Sequence, residues 1–251
     1  MNEKPFIKRD FSKAAEKYNQ NAFLQKQIAT ELCEIIDVEV KKQNQILDLG
    51  AGTGFIAKEI GAEYKITQLD IAMQMCKLSS KHAPSICADI EWLPIQDSSF
   101  DAVVSSLAFQ WLGNLKHTFT EIQGILRPNG YLIFATLTHG TLKELKHIVE
   151  KFGKSERVNN FHSEDEIKQA LEESGFEIEY VQNAEKILHY DDAYDLMRNI
   201  KAIGAGSKNK DVPNLTVSEF EIVNSEYKNY FTENEKIYST WNVQYFICKK
   251  G

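Results

Sequence analysis

What this 251-residue chain lacks already narrows what it can be. No run approaches the ~18 apolar residues of a membrane span, and the N-terminus MNEKPFIKRD has no apolar leader stretch. A cytoplasmic protein without membrane partners is therefore expected. Cysteines number only 4, at Cys33, Cys76, Cys87 and Cys248, with no C-x-x-C pair and no histidine at ligand spacing. That argues against a disulfide framework and a zinc site, and for buried or inert thiols. Positive charge is scarce: 29 Lys and Arg against 36 Asp and Glu give a net charge of −7, the wrong balance for a nucleic-acid binder. Neither H-x-H nor H-E-x-x-H occurs among the histidines, so no metal is expected, and without Gly-x-Ser-x-Gly no serine triad is expected.

What is present is ordinary globular composition, 43% hydrophobic, 26% charged and 11% aromatic, in a chain long enough for one large α/β domain. Apolar spacing predicts a helical segment over 10–37, carried by Leu24, Ile28, Leu32 and Ile35 and, before them, by Phe11, Ala14 and Tyr18. Strands are expected at 45–49, 65–70, 85–88, 100–106 and 131–136, alternating with helices from Phe55, over 72–80 and within 115–126. This alternation implies a mostly parallel, Rossmann-like α/β sheet with right-handed crossovers.

Thr141-x-x-Glu144, Ser163-x-x-Glu166 and Thr216-x-x-Glu219 read as helix capping boxes, Gly175 as a helix stop, and Pro128-Asn-Gly130 as a turn into the fifth strand. The last strands, 176–182 and an antiparallel 242–248, are separated by far more chain than a hairpin needs. The intervening chain is read as an inserted helical lid over the sheet's carboxyl edge, with a helix around 190–203 and a Gly-, Lys- and Asn-rich loop at 204–214. One domain over 1–251 then comprises an N-terminal helical cap (10–37), a cofactor core (45–182), a substrate lid (187–235) and a final strand returning to the sheet (236–251).

Asp48-Leu-Gly-Ala-Gly-Thr-Gly54 follows the first strand, and its glycines permit a tight turn and close approach of backbone to a ligand. Gly52-x-Gly54-x-x-Ala57 also fits a relaxed dinucleotide fingerprint, so the glycines alone leave the ligand open. Three acids discriminate. Asp48 sets a carboxylate beside the turn, where an ammonium suits it better than a diphosphate. Asp70 ends the second strand, 20 residues after Gly50, and can accept from both ribose hydroxyls. Asp89 follows the third strand at the height of an adenine amino group. An amine, a ribose and an adenine without phosphates describe S-adenosylmethionine.

On these residues the sequence resembles the class I S-adenosylmethionine-dependent methyltransferases. The resemblance implies that Asp48, Gly50 and Gly52 line the methionine end, that Asp70 holds the ribose and that Asp89 faces the adenine. Ala51, Ile71, Ile90, Ser106 and Gln25 complete the expected cofactor-binding set, with S-adenosyl-L-homocysteine as the product. Within that class, the chain resembles the malonyl-acyl carrier protein O-methyltransferases of biotin synthesis. The resemblance is carried by Phe11–Tyr18 with Leu24-Gln25, Asp89-Ile-Glu-Trp-Leu-Pro94, Ser106–Trp111, Gly140–Leu145 and Met197–Ala205. Ser106 stands where that pattern has Asn.

A malonyl carboxylate is ionised at neutral pH, so such an enzyme needs no general base, only in-line positioning and exclusion of water. Arg198 is the expected grip on the carboxylate, with Lys201 one helical turn away, and Tyr18, Gln110 and Trp111 are the expected positioning residues. An acidic carrier protein (or coenzyme A) as partner would call for local positive charge, which residues 196–218 (net +3, including Lys208 and Lys210) and 140–157 (net +2) offer. A methyltransferase of another small acid or quinone-like ring, a non-catalytic cofactor-binding subunit and a dinucleotide oxidoreductase are the competing readings.

Overall fold

In the computed structural model, residues 4–203 and 212–251 are described. Lys208, Lys210 and most of the expected 204–214 loop lie outside them. An 8-stranded sheet has the order β3-β2-β1-β4-β5-β8-β6, with β7 pairing β8. Its strands are β1 (Gln45–Leu49), β2 (Lys65–Asp70), β3 (Ser85–Cys87), β4 (Phe100–Ser106), β5 (Leu126–Leu137), β6 (Phe176–Tyr190), β7 (Thr232–Glu233) and β8 (Lys236–Lys250). The first five pair in parallel, and β8 runs antiparallel between β5 and β6. The chain winds outward from β1 to β3 and then returns to β4 on β1's other side. The carboxyl ends of β1 and β4 therefore form the switch point where open α/β sheets bind ligands.

Period-2 alternation divides the strands between two apolar layers. Ile46, Ala102, Val104, Ile133 and Ala135 face one way and pack with α2 (Phe23–Glu39) and α3 (Phe55–Ile60). Leu47, Val103, Leu132 and Phe134 face the other and pack with α5 (Leu115–Ile125) and α7 (Glu164–Glu173). Each fully buried Leu or Ile, such as Leu32 and Ile36 of α2, contributes about 1.5–3 kcal/mol of transfer free energy. α4 (Met73–Ser79) follows β2, and α6 (Lys143–Glu150) follows β5. The chain between β6 and β8 holds α8 (Ala193–Ala202) and α9 (Val217–Tyr230).

Several expectations are revised. The N-terminal helical segment begins at residue 4 and is two helices, α1 (Lys4–Asn21) and α2, broken at Ala22, whose ψ of 48° leaves the helical region. The last two strands are 15 residues each, so 187–190 and 236–241 extend the sheet, and the helical insertion proper is shorter than 187–235. Pro128-Asn-Gly130 lies within β5 as an irregularity, with Asn129 at φ +61°, and is not a turn before it. The capping boxes at Ser163 and Thr216 form as expected. That at Thr141 does not: left-handed Leu142 precedes α6, and both box residues bond across to β8. Thr141 Oγ1 accepts from Asn242 N at 3.1 Å, and Glu144 Oε2 accepts from Thr240 N at 3.0 Å. Fixed strand donors thus outcompete a local cap. The cysteines are free thiols, of which Cys33, Cys76 and Cys248 are buried and Cys87 is exposed.

Candidate active site

The turn after β1 is held onto β2, because the amides of Gly50 and Ala51 both donate to Leu69 O, at 2.8 and 3.1 Å. Gly50 has φ +71°, and a Cβ there would fall 2.3 Å from the Ala108 Cβ, so only glycine fits. Asp70 closes the turn from the neighbouring strand: Oδ2 accepts from Gly52 N at 2.9 Å and Oδ1 from Ala72 N at 2.8 Å. Each oxygen keeps a further lone pair for a ligand. Burial pushes this carboxyl up to about 6 against the pull of the two amides.

Asp48 lies beneath the turn, 1% exposed, and neither carboxylate oxygen has a hydrogen-bond partner. Burial and the nearby Asp70 charge push it up to about 8. A buried acid without a partner is costly, and a cationic group reaching it would relieve that cost.

A cavity of about 90 Å³ opens beside this turn, walled by Gly50, Gly52, Asp70, Ile71, Asp89 and Ile90 and, from the end of β4, by Ser106, Leu107 and Ala108. The Ser106 hydroxyl is buried there without a partner. Leu107 turns the chain away at φ +53°, a strained value for a non-glycine residue. Asp89 is engaged: Oδ2 pairs with Lys4 Nζ at 2.6 Å, and Oδ1 accepts from Glu91 N at 3.0 Å.

An inner chamber of about 30 Å³ adjoins the cavity and shares Phe11, Tyr18, Leu107 and Trp111 with it. Trp111 meets Phe11 edge-on with ring centroids 5.6 Å apart, and Tyr18 stacks on Phe55 at 6.2 Å. Burial, reinforced by Asp70, raises the Tyr18 phenol well above its ordinary value. Gln110 donates to Leu107 O at 2.7 Å and accepts from Thr136 Oγ1 at 3.2 Å.

Not every residue expected at the site lines the expected cavity. Asp48 and Ala51 underlie the cofactor cavity without lining it, and Gln25 faces the inner chamber instead. Arg198 and Lys201 line neither space. They flank a third, outer cleft, where Arg198 is 73% exposed and lies 3.4 Å from Asp195. Conversely, Lys4 and Ile7 line the cavity and were missed, although 4, 7, 11 and 18 share one helical stripe. That stripe, extended before residue 10, would have found them. Asn159 and Phe161 reach the inner chamber from an irregular connection and carried no sequence signal. Among the described residues no cluster of His, Cys, Asp and Glu could hold a metal ion.

Three acids about the cavity offer a diphosphate no cation but suit an amine, a diol and an exocyclic amine. The unpartnered Asp48 oxygens and Ser106 hydroxyl, with Asp70's spare lone pairs, fit S-adenosylmethionine. Fold and site together define an S-adenosylmethionine-dependent methyltransferase of the class I kind.

A model of the methyltransferase domain family matches residues 47–134. A malonyl-acyl-carrier protein O-methyltransferase of Methylovorus sp. (strain MP688) is 36% identical over 81% of this chain and 74% of its own length. A biotin biosynthesis bifunctional protein of Saccharophagus degradans is 36% identical over 81% of this chain and 38% of its own, larger length. The solved structure of a SAM-dependent methyltransferase from Thermotoga maritima shares the fold at a TM-score of 0.58 and 16% identity, covering 97% of this chain and 99% of that one. The chain belongs to the malonyl-acyl-carrier protein O-methyltransferase family.

Proposed function

We propose that the protein transfers a methyl group from S-adenosylmethionine to the free carboxylate of a malonyl thioester on acyl carrier protein, giving the methyl ester used in biotin synthesis. The names of its relatives support the substrate class. The observation that carries the chemistry is the lining of the inner chamber. Its polar side chains, Tyr18, Gln25, Gln110 and Asn159, are uncharged and sit among aromatic and aliphatic walls, with no acid and no imidazole among the described residues. Such a chamber cannot abstract a proton, and a malonyl carboxylate, with a reference pKa of ~4, needs none abstracted.

When bound, S-adenosylmethionine supplies an electrophilic methyl group. The chain's own work is to place and desolvate the acceptor. Trp111, Phe11 and Trp241 exclude water, so the carboxylate meets the donor without a full hydration shell. Tyr18 and the amides of Gln25 and Asn159 orient it by hydrogen bonds, while Gln110, committed to Leu107 and Thr136, fixes the wall. Asp48, Gly50, Gly52, Asp70, Ile71, Asp89, Ile90 and Ser106 hold the donor. α1 and the α8–α9 insertion act as the lid, with Asn199 Nδ2 donating to Asn21 O at 3.0 Å to join them. The enzyme works in the cytoplasm, where its free thiols persist.

The test is to incubate the protein with S-adenosylmethionine and malonyl-carrier protein and weigh the product. A gain of one methyl group, lost on mild esterase treatment, is expected. Turnover on free acids with none on the thioester would overturn the reading.

A further inference from the structure

A cleft of about 890 Å³ lies outside both chambers, between α1, α6, the turn at Ser155–Arg157, α8 and the approach to α9. α1 separates it from the cofactor cavity. Positions 4, 7, 11 and 18 face the cavity, while 10, 13, 14 and 17 face the cleft. The cleft's charge runs against that of the whole chain. Lys13, Lys17, Arg157, Arg198 and Lys201 line it, and Asp10 is its one acid among the described residues, in a protein whose net charge is −7. Lys13, Lys17 and Lys201 are exposed, and no described carboxylate pairs with them, while Arg198 has only the long contact to Asp195.

Beneath these cations the wall is apolar, formed by Leu145, Val149, Val158, Met197, Leu215 and Phe220. The cleft also shares Leu142, Asn159 and Ile200 with the inner chamber, so the two spaces adjoin across these side chains.

A cluster of cations over an apolar wall, beside an uncharged chamber, matches a ligand with a phosphodiester at one end and an uncharged chain running from it. We propose that the cleft binds the phosphopantetheine arm of the thioester substrate. Arg198 and Lys201 of α8, facing Lys13 and Lys17 of α1, hold its phosphate, and the chain passes Leu142, Asn159 and Ile200 to present the acyl group inside. This assignment rests on the acceptor being a thioester, as proposed above. It moves Arg198 from the malonyl carboxylate to the phosphate, because Arg198 opens on the cleft and not on the chamber. Arginine's planar fork and the lysines' mobile ammonium groups both suit a phosphate.

The experiment compares the wild type with two double variants, Arg198→Ala/Lys201→Ala and Lys13→Ala/Lys17→Ala, on malonyl-pantetheine, malonyl-phosphopantetheine, malonyl-coenzyme A and malonyl-carrier protein. All four side chains are exposed, and retained binding of S-adenosyl-L-homocysteine reports an intact fold. Each double variant should raise KM for the phosphate-bearing substrates about tenfold, with kcat little changed, and leave malonyl-pantetheine unaffected. The coenzyme A and carrier arms distinguish the source of the phosphate: the natural one has the lower KM, and the variants must raise it. Equal losses with and without the phosphate, or no loss, would overturn the assignment. A direct measurement keeps it separate from the proposed reaction. By calorimetry on the protein with S-adenosyl-L-homocysteine, phosphopantetheine should bind more tightly than pantetheine, and the variants should abolish the difference. No phosphate-dependent binding would overturn the cleft's role even if the thioester is methylated, whereas such binding without methylation would sink the reaction and leave the cleft assigned.

Discussion

Lys4 Nζ lies 2.6 Å from Asp89 Oδ2, which ties the first turn of α1 to the acid expected to face the adenine. Lys4 also pairs with Glu91. Burial works against its ammonium, but the two carboxylates outweigh burial and raise it above the ordinary lysine value. Through Ile7, Phe11 and Tyr18 the same helix walls a cavity of about 90 Å³. Ligand pockets commonly span about 300 Å³ or more, so the Lys4–Asp89 contact is expected to open as the cofactor enters. Lys4→Met should then speed association of S-adenosyl-L-homocysteine and tighten it by about threefold, the scale of a part-exposed ion pair. Stopped-flow binding checks this. Unchanged rate and affinity would mean that Lys4 does not compete.

Asp48 gives a pH signature. Its folded pKa is raised to about 8, so its contribution to stability is complete below the unfolded value of ~4 and is lost as pH rises through about 8. The free protein should lose stability across that window. A ligand ammonium favours the ionised acid, so binding of S-adenosyl-L-homocysteine near pH 7 should release a proton and tighten from pH 6 to 8. Calorimetry in buffers of different ionisation enthalpy measures the release. Asp48→Asn should flatten the stability slope and weaken binding at least tenfold. A pH-independent affinity in the wild type would remove Asp48 from the amine's environment.

The half of the candidate site proposed for the cofactor was legible because its requirements are local. A glycine that must adopt a positive φ and an acid at each strand end are written within 42 residues of sequence, from Asp48 to Asp89. The half proposed for the substrate was legible only in part: Tyr18, Gln110 and Trp111, expected as positioning residues, do line the inner chamber, but the rest of its wall is assembled across the fold. Trp241, Asn159, Gln25 and Ile200 meet in one chamber from four distant segments, and no periodicity brings them together. The helix stripe of α8 does place Arg198 and Lys201 near each other, but which space they open on depends on α1 and α6 packing beside them. Thr141 and Glu144 carry the same local pattern as the two capping boxes that form, yet the antiparallel β8 supplies competing partners from 96 residues or more away.

Gly50 and Gly52 should respond differently to alanine. Both have positive φ, +71° and +56°, which costs a non-glycine residue about 1–2 kcal/mol. At Gly52 nothing lies within 4 Å of the added Cβ, so the loss of stability should stay near that value while the methyl group intrudes on the cofactor cavity. At Gly50 the added Cβ collides with Ala108 at 2.3 Å, forcing the β1 turn from the end of β4, and the loss should exceed that of Gly52→Ala by 1 kcal/mol or more. Urea denaturation of both variants measures the difference. Equal losses would show that the turn can move away from Ala108 freely.

Glu31 fastens α2 to the antiparallel edge of the sheet. Its Oε1 accepts from Lys186 Nζ of β6 at 2.6 Å and from Gln27 Nε2 at 2.9 Å, and its Oε2 accepts from the Tyr245 hydroxyl of β8. Burial alone would raise this carboxyl, but Lys186, Tyr245 and Gln27 together hold it below the usual glutamate range. A depressed folded pKa contributes stability that is present above the unfolded value and lost as pH falls through the folded one. Glu31→Gln removes the charge but keeps the shape, and should lower stability at pH 7 by about 1–2 kcal/mol, the scale of hydrogen bonds to a partly exposed charged group. On acidification the wild type loses the same contribution, so the two unfolding curves should converge below the usual carboxylate range. Denaturant titrations at pH 7 and at pH 3.5 provide the comparison. A difference that persists undiminished in acid would mean that Glu31 acts through packing and not through its charge.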